Sequence, residues 1–188
     1  MFVLTLPPLL VSAMLVRLTS KGPAFFAHTR CGQNGVPFQC LKLRTMVVDA
    51  QDWLEQDPKL RAAYKDNGFK LKLEQDPRVT RVGRFLRQKY LDELPQLINV
   101  IRGDMSLVGP RPIIEEELEW YGDHKEELLS VRPGIFGPWT ALGQARPDYP
   151  ARVLVELNYI RDTGWREDLR ILSKHLGVLV IGQIEERQ

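Results

Sequence analysis

The first segment of the chain, MFVLTLPPLLVSAMLV, constrains the fold more than any other stretch because it carries no charge before Arg17. It holds about 15 apolar or small residues, whereas a helix needs roughly 20 to cross a bilayer. Pro7 and Pro8 interrupt the run, and each proline removes one hydrogen bond from a helix. The pattern favours a proline-bent, re-entrant helix that dips into a membrane and returns.

Two other structures for this segment stay open, an ordinary buried helix of a soluble protein and a signal peptide. A signal peptide would need a charged n-region and a small-x-small cleavage site, whereas the run leads directly into RLTSK at residues 17–21. A re-entrant helix would need an apolar arm ahead of the prolines, and almost none is present. We therefore expect a partial re-entrant membrane helix at 1–21, followed by one globular domain at 22–188.

The overall composition excludes several classes of function. At 188 residues the chain suits one domain with its own core. The net charge is +2 and opposite charges are interspersed, so no nucleic acid is expected as a partner. Cys31 and Cys40 lack the spacing of a zinc site or a disulfide framework and are expected to be reduced thiols. The sequence has no glycine-rich phosphate loop and no serine or cysteine nucleophile motif.

Hydrophobic periodicity and turn residues predict a mainly helical α+β fold with one small β-hairpin. Strands at 24–28 and 37–43 flank the turn-forming segment GQNG at 32–35. Asp92 is expected to be the N-cap of a helix that ends at Gly103. Helices are predicted at 49–67, 92–102, 113–129, 150–161 and 166–182.

Asp92 and Glu93 are adjacent carboxylates at the predicted start of a helix. Adjacent helical residues point about 100° apart, so the pair cannot flank one bond as glycosidase carboxylates do. They can divide two tasks, because an ionised aspartate attacks phosphorus and a neighbouring glutamate can hold Mg²⁺ together with substrate phosphates. The helix N-terminus is expected to keep Asp92 ionised. Taken alone, an acidic N-cap followed by an acidic first turn is the simpler interpretation.

Basic residues around the carboxylates favour a site that binds a diphosphate. Arg87 precedes the pair, and Arg111 lies between two prolines, which hold its guanidinium in a way that suits bidentate phosphate contact. Lys42 and Arg44 alternate along a predicted strand, so both can face one side. Arg132 opens an Arg-Pro-Gly turn. Each of these side chains, taken alone, is a solvated surface charge in the simpler interpretation.

Three blocks of the sequence carry a resemblance to a known family. They read GPAFFAHTRCGQNGVPFQCLKLRTM, DPRVTRVGRFLRQKYLDELPQLINVIRGDMSLVGPRP and VRPGIFGPW. These blocks resemble the bacterial sugar transferase family, the monotopic phosphoglycosyl transferases. The similarity covers nearly all of the chain from Thr5 onward, and LDELPQ and GPRP are its most specific parts.

The resemblance implies an enzyme that moves a sugar-1-phosphate from a UDP-sugar to polyprenyl (undecaprenyl) phosphate and releases UMP. In this family an aspartate attacks the β-phosphate and forms a covalent intermediate, so Asp92 would be the nucleophile and Glu93 the Mg²⁺ ligand. Lys42, Arg87 and Arg111 match family positions that surround the phosphates. The reaction would be the first membrane step in the assembly of a polysaccharide or another glycoconjugate.

The resemblance also implies a location in the cell. Family members hold a re-entrant helix bent at a proline, and LPPL at 6–9 matches that bend. The protein would lie on the cytoplasmic face of the bacterial inner membrane, with a cytosolic catalytic domain at 22–188. Interfacial helices of this domain would contact lipids of the inner leaflet, and a homodimer is left open.

The chain departs from the family pattern at several positions. GPWTALGQA at 137–145 differs from a tract that usually reads GLWQVSGR, and Glu156 stands where an aspartate is common. The C-terminal tail and the predicted helix that Gly68 ends are more similar to the hexose-1-phosphate branch, so galactose or glucose is the expected sugar. The alternative is a non-catalytic membrane scaffold of glycan assembly. The missing membrane arm favours the scaffold, and the retained carboxylate pair and GPRP arginine oppose it.

Overall fold

The computed structural model of the protein describes residues 2–69, 71–145 and 147–181. Short 3₁₀ segments lie at Gln33–Gly35, Leu91–Glu93, Glu115–His124 and Thr140–Ala145. The helices and strands of these residues are α1 (Phe2–Thr19), β1 (Phe25–Cys31), β2 (Pro37–Leu43), α2 (Ala50–Gln56), α3 (Pro58–Asp66), α4 (Arg81–Gln88), α5 (Gln96–Arg102), β3 (Ser106–Val108), α6 (Lys125–Leu129), β4 (Gly134–Phe136), α7 (Ala151–Arg161) and α8 (Trp165–Ile181).

The predicted α+β class is confirmed, with small sheets among many helices. β1 and β2 form the predicted hairpin, although β1 extends to Cys31 instead of ending at residue 28. The strand continues to Cys31, whose N–H donates to the carbonyl of Ile113 at 2.9 Å. β3 and β4 form a second, parallel pair that was not predicted, with Ser106 opposite Gly134. Hydropathy alone does not show which distant short strands will pair.

The described residues pack into two compact units. The first holds the residues up to Ala27 and those from Leu41 to Pro95, and the second holds His28–Cys40 and the residues from Gln96 onward. The core of the first unit is built on Val16, Leu43 and Leu86. The main cluster of the second unit contains Ile113, Tyr121, Leu128, Val153 and Leu157.

α1 is a single helix that continues through Pro7 and Pro8. Both prolines lie near its start, so only early hydrogen bonds of the helix are lost. Leu9 and Val16 pack into the core of the first unit, whereas Leu18 on the other side is 74% exposed. Within the described residues, no helix combines the length and the apolar character needed to span a membrane. The re-entrant path of this segment stays a prediction.

The helix predicted at 49–67 is two helices, α2 and α3. Asp57 separates them because its backbone is extended, with φ −108° and ψ 100°. Its Oδ1 accepts from the N–H groups of Lys59 and Leu60 at 2.9 and 3.1 Å, which caps α3. Pro58 is then the first residue of α3, where its missing N–H breaks no helical bond.

The α-helix predicted at 113–129 is wrong over most of its length. Glu115–His124 forms 3₁₀ turns, and only Lys125–Leu129 is α-helical. Gly122 has φ +50° and ψ −124°, a conformation that interrupts any regular helix. The helices predicted at 150–161 and 166–182 are confirmed as α7 and α8, with residue 182 outside the described residues.

A buried ionic network ties α7 to the preceding segment of the second unit. Arg152 and Glu156 are 3% and 0% exposed, and their Nη2 and Oε1 atoms lie 2.9 Å apart. Tyr121 donates its hydroxyl to Oε2 of Glu156 at 2.9 Å. Glu117 lies 3.7 Å from Arg152 and also accepts from the Tyr149 hydroxyl at 3.1 Å. Glu156, a departure from the family pattern, is therefore a fully paired core residue.

Candidate active site

The two carboxylates lie in the 3₁₀ turn Leu91–Glu93 of the first unit. Asp92 is 7% exposed, and Glu93 has 23% of its side chain exposed. The prediction that Asp92 caps a helix is wrong, because α5 begins only at Gln96. The field of a helix N-terminus therefore cannot be what keeps Asp92 ionised.

The local sequence explains the tight turn. The Leu94 N–H donates to the carbonyl of Leu91 at 3.3 Å, which is a 3₁₀ hydrogen bond. Pro95 has no N–H with which to continue an α-helical ladder, so the α-helix starts after it. Tyr90 has φ +54° and reverses the chain just ahead of the pair. Non-glycine residues rarely adopt this conformation, which often marks functional sites.

The electrostatic environment of Asp92 is set by burial and by neighbouring charges. Burial raises the pKa of its carboxyl group to about 6, and the adjacent Glu93 acts in the same direction. Lys42 and Arg87 oppose this increase in pKa, because nearby cations favour the charged carboxylate. Asp92 is therefore mostly ionised at neutral pH, and a poorly solvated carboxylate is a reactive one.

Lys42 is a cation that directly contacts the carboxylate pair. Its Nζ donates to Oε1 of Glu93 at 3.0 Å, and the two side chains are 21% and 23% exposed. Lys42 comes from β2, in the same unit as the pair. The structure thus brings Lys42 together with Asp92 and Glu93, and the predicted roles of the three residues stay predictions.

Arg87 is positioned by α4 and by a buried threonine. Its Nε donates to Oγ1 of Thr45 at 2.8 Å, and Thr45 is 5% exposed. α4 lies directly against the chain at this point, since a Cβ atom at Gly83 would be 1.9 Å from the carbonyl oxygen of Thr45. The sequence does not single out Thr45 and Gly83, because neither residue carries a chemical signal without its neighbours in space.

Arg44 makes contacts that the sequence did not predict. Its Nε donates to the carbonyl of Pro23 at 2.6 Å, and its Nη2 donates to those of Ser20 and Gly22 at 3.2 and 3.1 Å. Arg17 also donates to the carbonyl of Gly22, at 2.7 Å. Arg44 is 7% exposed and secures the chain after α1. Its predicted phosphate contact stays a prediction, and the observed contacts are structural.

The side chains at the pair fit the donor set of Mg²⁺ held jointly with phosphates. Mg²⁺ binds through one or two carboxylates, substrate oxygens and water, and seldom needs a cage of protein ligands. Asp92 and Glu93 supply two adjacent carboxylates, and within the described residues no group of three or more His, Cys, Asp or Glu side chains could form such a cage. Glu93 is the more exposed of the two and is the better candidate ligand.

Arg111 and Arg132 come from two turns of the second unit that pack backbone against backbone. The Gly134 N–H donates to the carbonyl of Pro110 at 2.8 Å, and the Gly109 N–H donates to that of Phe136 at 3.1 Å. A Cβ atom at Gly134 would lie 2.1 Å from the Gly109 nitrogen, so only glycine allows this contact. The GPRP and RPG motifs are therefore parts of one rigid structure. In the part of the chain that the structure describes, neither guanidinium forms a hydrogen bond or an ion pair.

The divergent tract at 137–145 begins next to these turns, and a stack of side chains holds it. The guanidinium of Arg152 lies between the rings of Trp139 and Tyr149, 4.6 and 4.8 Å from their centroids. Trp120 stacks on Tyr149 with 5.3 Å between centroids. Trp139 also donates its Nε1–H to the carbonyl of Pro147 at 2.6 Å. The tract is thus well anchored, although its sequence differs from the expected pattern.

The comparisons with known proteins cover almost the whole chain. The family described as "Bacterial sugar transferase" matches residues 1–182. A UDP-galactose-lipid carrier transferase of Erwinia amylovora is 42% identical over 181 residues, which is 94% of this chain. The exopolysaccharide production protein ExoY of Sinorhizobium fredii is 40% identical over 185 residues, or 96% of the chain. A UDP-glucose:undecaprenyl-phosphate glucose-1-phosphate transferase of Caulobacter vibrioides is 39% identical over 180 residues, or 89% of the chain.

These relatives differ in length from the chain. The match covers 37% of the Erwinia protein, 61% of the Caulobacter protein and 80% of ExoY. The chain thus spans little more than a third of the Erwinia relative, whereas the family match takes in all the proposed site residues. The chain belongs to the bacterial sugar transferase family.

Proposed function

We propose that this protein is a phosphoglycosyl transferase that moves a hexose-1-phosphate from a UDP-sugar to undecaprenyl phosphate. The observation that carries the proposal is the buried Asp92, ionised between Lys42 and Arg87 and adjacent to Glu93. Such a carboxylate suits attack on a phosphorus atom, because the site has a nucleophile with nearby cations and no histidine base is required.

The names of the relatives support a hexose as the sugar. One relative is named for UDP-galactose and another for UDP-glucose and undecaprenyl phosphate. Galactose and glucose differ only at one hydroxyl group, and both are candidate sugars of the donor. ExoY is named for exopolysaccharide production, which is consistent with a first membrane step of polysaccharide assembly.

In the first half-reaction, an Oδ atom of Asp92 attacks the phosphorus that bears the sugar. A bond forms between Oδ and phosphorus, the bond from phosphorus to the bridging oxygen breaks, and UMP leaves with that oxygen and its electron pair. Arg87 and Lys42 stabilise charge that builds on the phosphoryl oxygens, and Arg111 and Arg132 are further proposed phosphate ligands. The protein then carries an acyl phosphate on Asp92.

In the second half-reaction, a phosphate oxygen of undecaprenyl phosphate attacks the same phosphorus. The bond from phosphorus to Oδ breaks, and the carboxylate of Asp92 is restored. The product is an undecaprenyl diphosphate sugar. Because UMP leaves before the acceptor reacts, the kinetics should be ping-pong.

Glu93 would hold Mg²⁺, which when bound would neutralise part of the negative charge of the diphosphate. The contact from Lys42 to Glu93 orients this carboxylate. Lys42 and Mg²⁺ would thus both stabilise negative charge at the same edge of the turn.

The exposed face of α1 supports contact with a membrane, and we propose the cytoplasmic surface of the inner membrane as its location. Leu10, Met14 and Leu18 are 59%, 57% and 74% exposed along it. Arg17 lies in the last turn of α1 and Lys21 just after it, and each cation near an anionic surface contributes about 1 kcal/mol of attraction. Insertion of α1 into one leaflet would cover this apolar face, and the re-entrant path is the form we propose. A homodimer stays a prediction.

The test combines UMP release with intact-protein mass spectrometry. Incubation with UDP-galactose or UDP-glucose and no acceptor should release UMP and add one hexose phosphate to the peptide around Asp92. Asp92→Asn should abolish both the adduct and UMP release. If an active preparation forms no adduct and releases UMP only when undecaprenyl phosphate is present, the covalent mechanism is wrong. If no UDP-sugar gives any UMP with or without acceptor, the chain is a non-catalytic scaffold.

A further inference from the structure

Thr140 and His175 form a link between the divergent tract at 137–145 and α8, within the second unit. Oγ1 of Thr140 lies 2.8 Å from Nε2 of His175. Nδ1 of His175 lies 2.9 Å from the carbonyl oxygen of Ile171, and a carbonyl can only accept, so Nδ1 carries a proton. The ring of Phe136 packs edge-on against the imidazole, 5.1 Å away. His175 is 8% exposed and has one fixed orientation.

The same hydroxyl of Thr140 also holds Gly137. It accepts from the Gly137 N–H at 3.2 Å and lies 2.9 Å from the Gly137 carbonyl oxygen, which also accepts from the Ala141 N–H at 3.1 Å. The N–H of Gly137 therefore depends on one side chain, and that side chain is held by His175. Loss of the hydroxyl would leave the buried N–H of Gly137 without this partner.

Gly137 in turn lies against the turn that carries Arg111. A Cβ atom at Gly137 would be 3.4 Å from the carbonyl oxygen of Gly109 and 3.9 Å from the backbone nitrogen of Arg111. The preceding residue, Phe136, accepts from the Gly109 N–H at 3.1 Å. A shift of Gly137 would therefore be transmitted directly to the backbone that leads into Arg111.

We propose that Thr140 and His175 are positioning residues that fix Gly137 against the backbone of Arg111 and so orient its guanidinium for the diphosphate of the donor. This inference rests on the proposed function, because it assumes that Arg111 binds donor phosphates. Neither residue touches the substrate. Their role is to prevent the GPRP turn from moving, since an arginine that is fixed in place loses less entropy when it forms a bidentate contact.

The test compares Thr140→Val with Thr140→Ser. Valine has nearly the shape of threonine and lacks the hydroxyl, whereas serine keeps the hydroxyl and lacks the methyl group. Thr140→Val should raise KM for the UDP-sugar about three- to tenfold, which corresponds to one or two lost neutral hydrogen bonds. Thr140→Ser should stay within about twofold of the unmodified protein. The kcat and the KM for undecaprenyl phosphate should change little in either variant.

A double-mutant cycle tests whether the two residues act as one link. Thr140→Val and His175→Phe should each raise KM for the UDP-sugar, and the double variant should be no worse than the worse single variant. His124→Gln, a change at an exposed histidine of the same unit, is the matched control and should leave KM unchanged. Thermal melting of each variant shows whether a change in KM accompanies a loss of folded protein.

Three results would overturn the inference. The first is an unchanged KM for the UDP-sugar in Thr140→Val, and the second is an equal change in this KM in the valine and serine variants. The third is a fall in kcat alone, with a lowered melting temperature. If the unmodified protein is active in UMP release and any of these occurs, only the positioning role is wrong. If the unmodified protein releases no UMP from any UDP-sugar, the proposed function is wrong and this inference is overturned with it.

Discussion

Replacing Asp92 with asparagine should stabilise the folded protein at pH 7.5 even though it removes the proposed nucleophile. The carboxylate is almost fully buried beside Glu93, and both features disfavour its charge. Asparagine has nearly the same shape and no charge. The change therefore removes an unfavourable electrostatic interaction without opening a cavity.

The expected size follows from the pKa of Asp92, which rises from 3.8 to about 6 on folding. Each pKa unit corresponds to about 1.4 kcal/mol, so the ionised group makes the folded state less stable by about 3 kcal/mol above pH 6. Burial of the asparagine N–H₂ group would offset about 1 kcal/mol of this. A net increase of about 2 kcal/mol in the free energy of unfolding is expected.

The pH dependence has a definite sign. Because the pKa of Asp92 is higher in the folded state, protonation favours the folded protein. The unmodified protein should gain stability from this group as the pH falls from about 7 to 4, and Asp92→Asn should not. The difference between the two proteins is therefore largest above pH 6 and disappears near pH 4.

Urea denaturation between pH 4.5 and 7.5 measures this difference. The protein should be kept in detergent with excess EDTA, so that no divalent cation compensates the charge. Asp123→Asn is the matched control, because Asp123 is exposed and its change should alter stability by less than about 0.5 kcal/mol. The reasoning is refuted if Asp92→Asn is less stable than the unmodified protein at pH 7.5, or if the difference is the same at both pH values.

Three further changes test other parts of the structure. Glu93→Gln should weaken Mg²⁺ binding roughly tenfold or more and lower UMP release, and high Mg²⁺ should partly restore UMP release. Full activity of the unmodified protein in excess EDTA would contradict this role. Replacing Leu10 and Leu18 with glutamate should reduce sedimentation with anionic vesicles at least about tenfold, since each leucine contributes about 1.5 kcal/mol or more on burial. Two glutamates introduced on α3, as the control, should have no such effect. Gly83→Ala should lower the free energy of unfolding by about 2 kcal/mol or more, because the alanine Cβ would overlap the carbonyl of Thr45. A melting temperature equal to that of the unmodified protein would disprove the close contact.

Local features of the sequence were sufficient for several elements of the fold. The alternating strands and the GQNG turn predicted the β1–β2 hairpin, and the periodic apolar residues predicted α7 and α8. These elements depend on contacts between residues that are near one another in the chain. The adjacent carboxylates and the basic residues near them indicated the candidate site, and the resemblance to a family assigned roles to Asp92, Glu93, Lys42, Arg87 and Arg111.

Predictions failed where a single residue changed the local geometry. Pro95 moved the start of α5 to Gln96, and Gly122 interrupted the helix predicted at 113–129. Asp57 divided another predicted helix by capping its second half. Each of these signals is present in the sequence, but the propensity of the surrounding residues favoured a longer helix.

The chemical identity of the candidate site was therefore determined by the sequence, and its energetics were decided by the tertiary structure. No sequence pattern shows that Asp92 is buried, and burial is the main reason that its pKa rises to about 6. The partners of Arg44 and the contact between Thr140 and His175 likewise join residues far apart in the chain. Desolvation and hydrogen bonding depend on which groups meet in space, and only the folded backbone determines that.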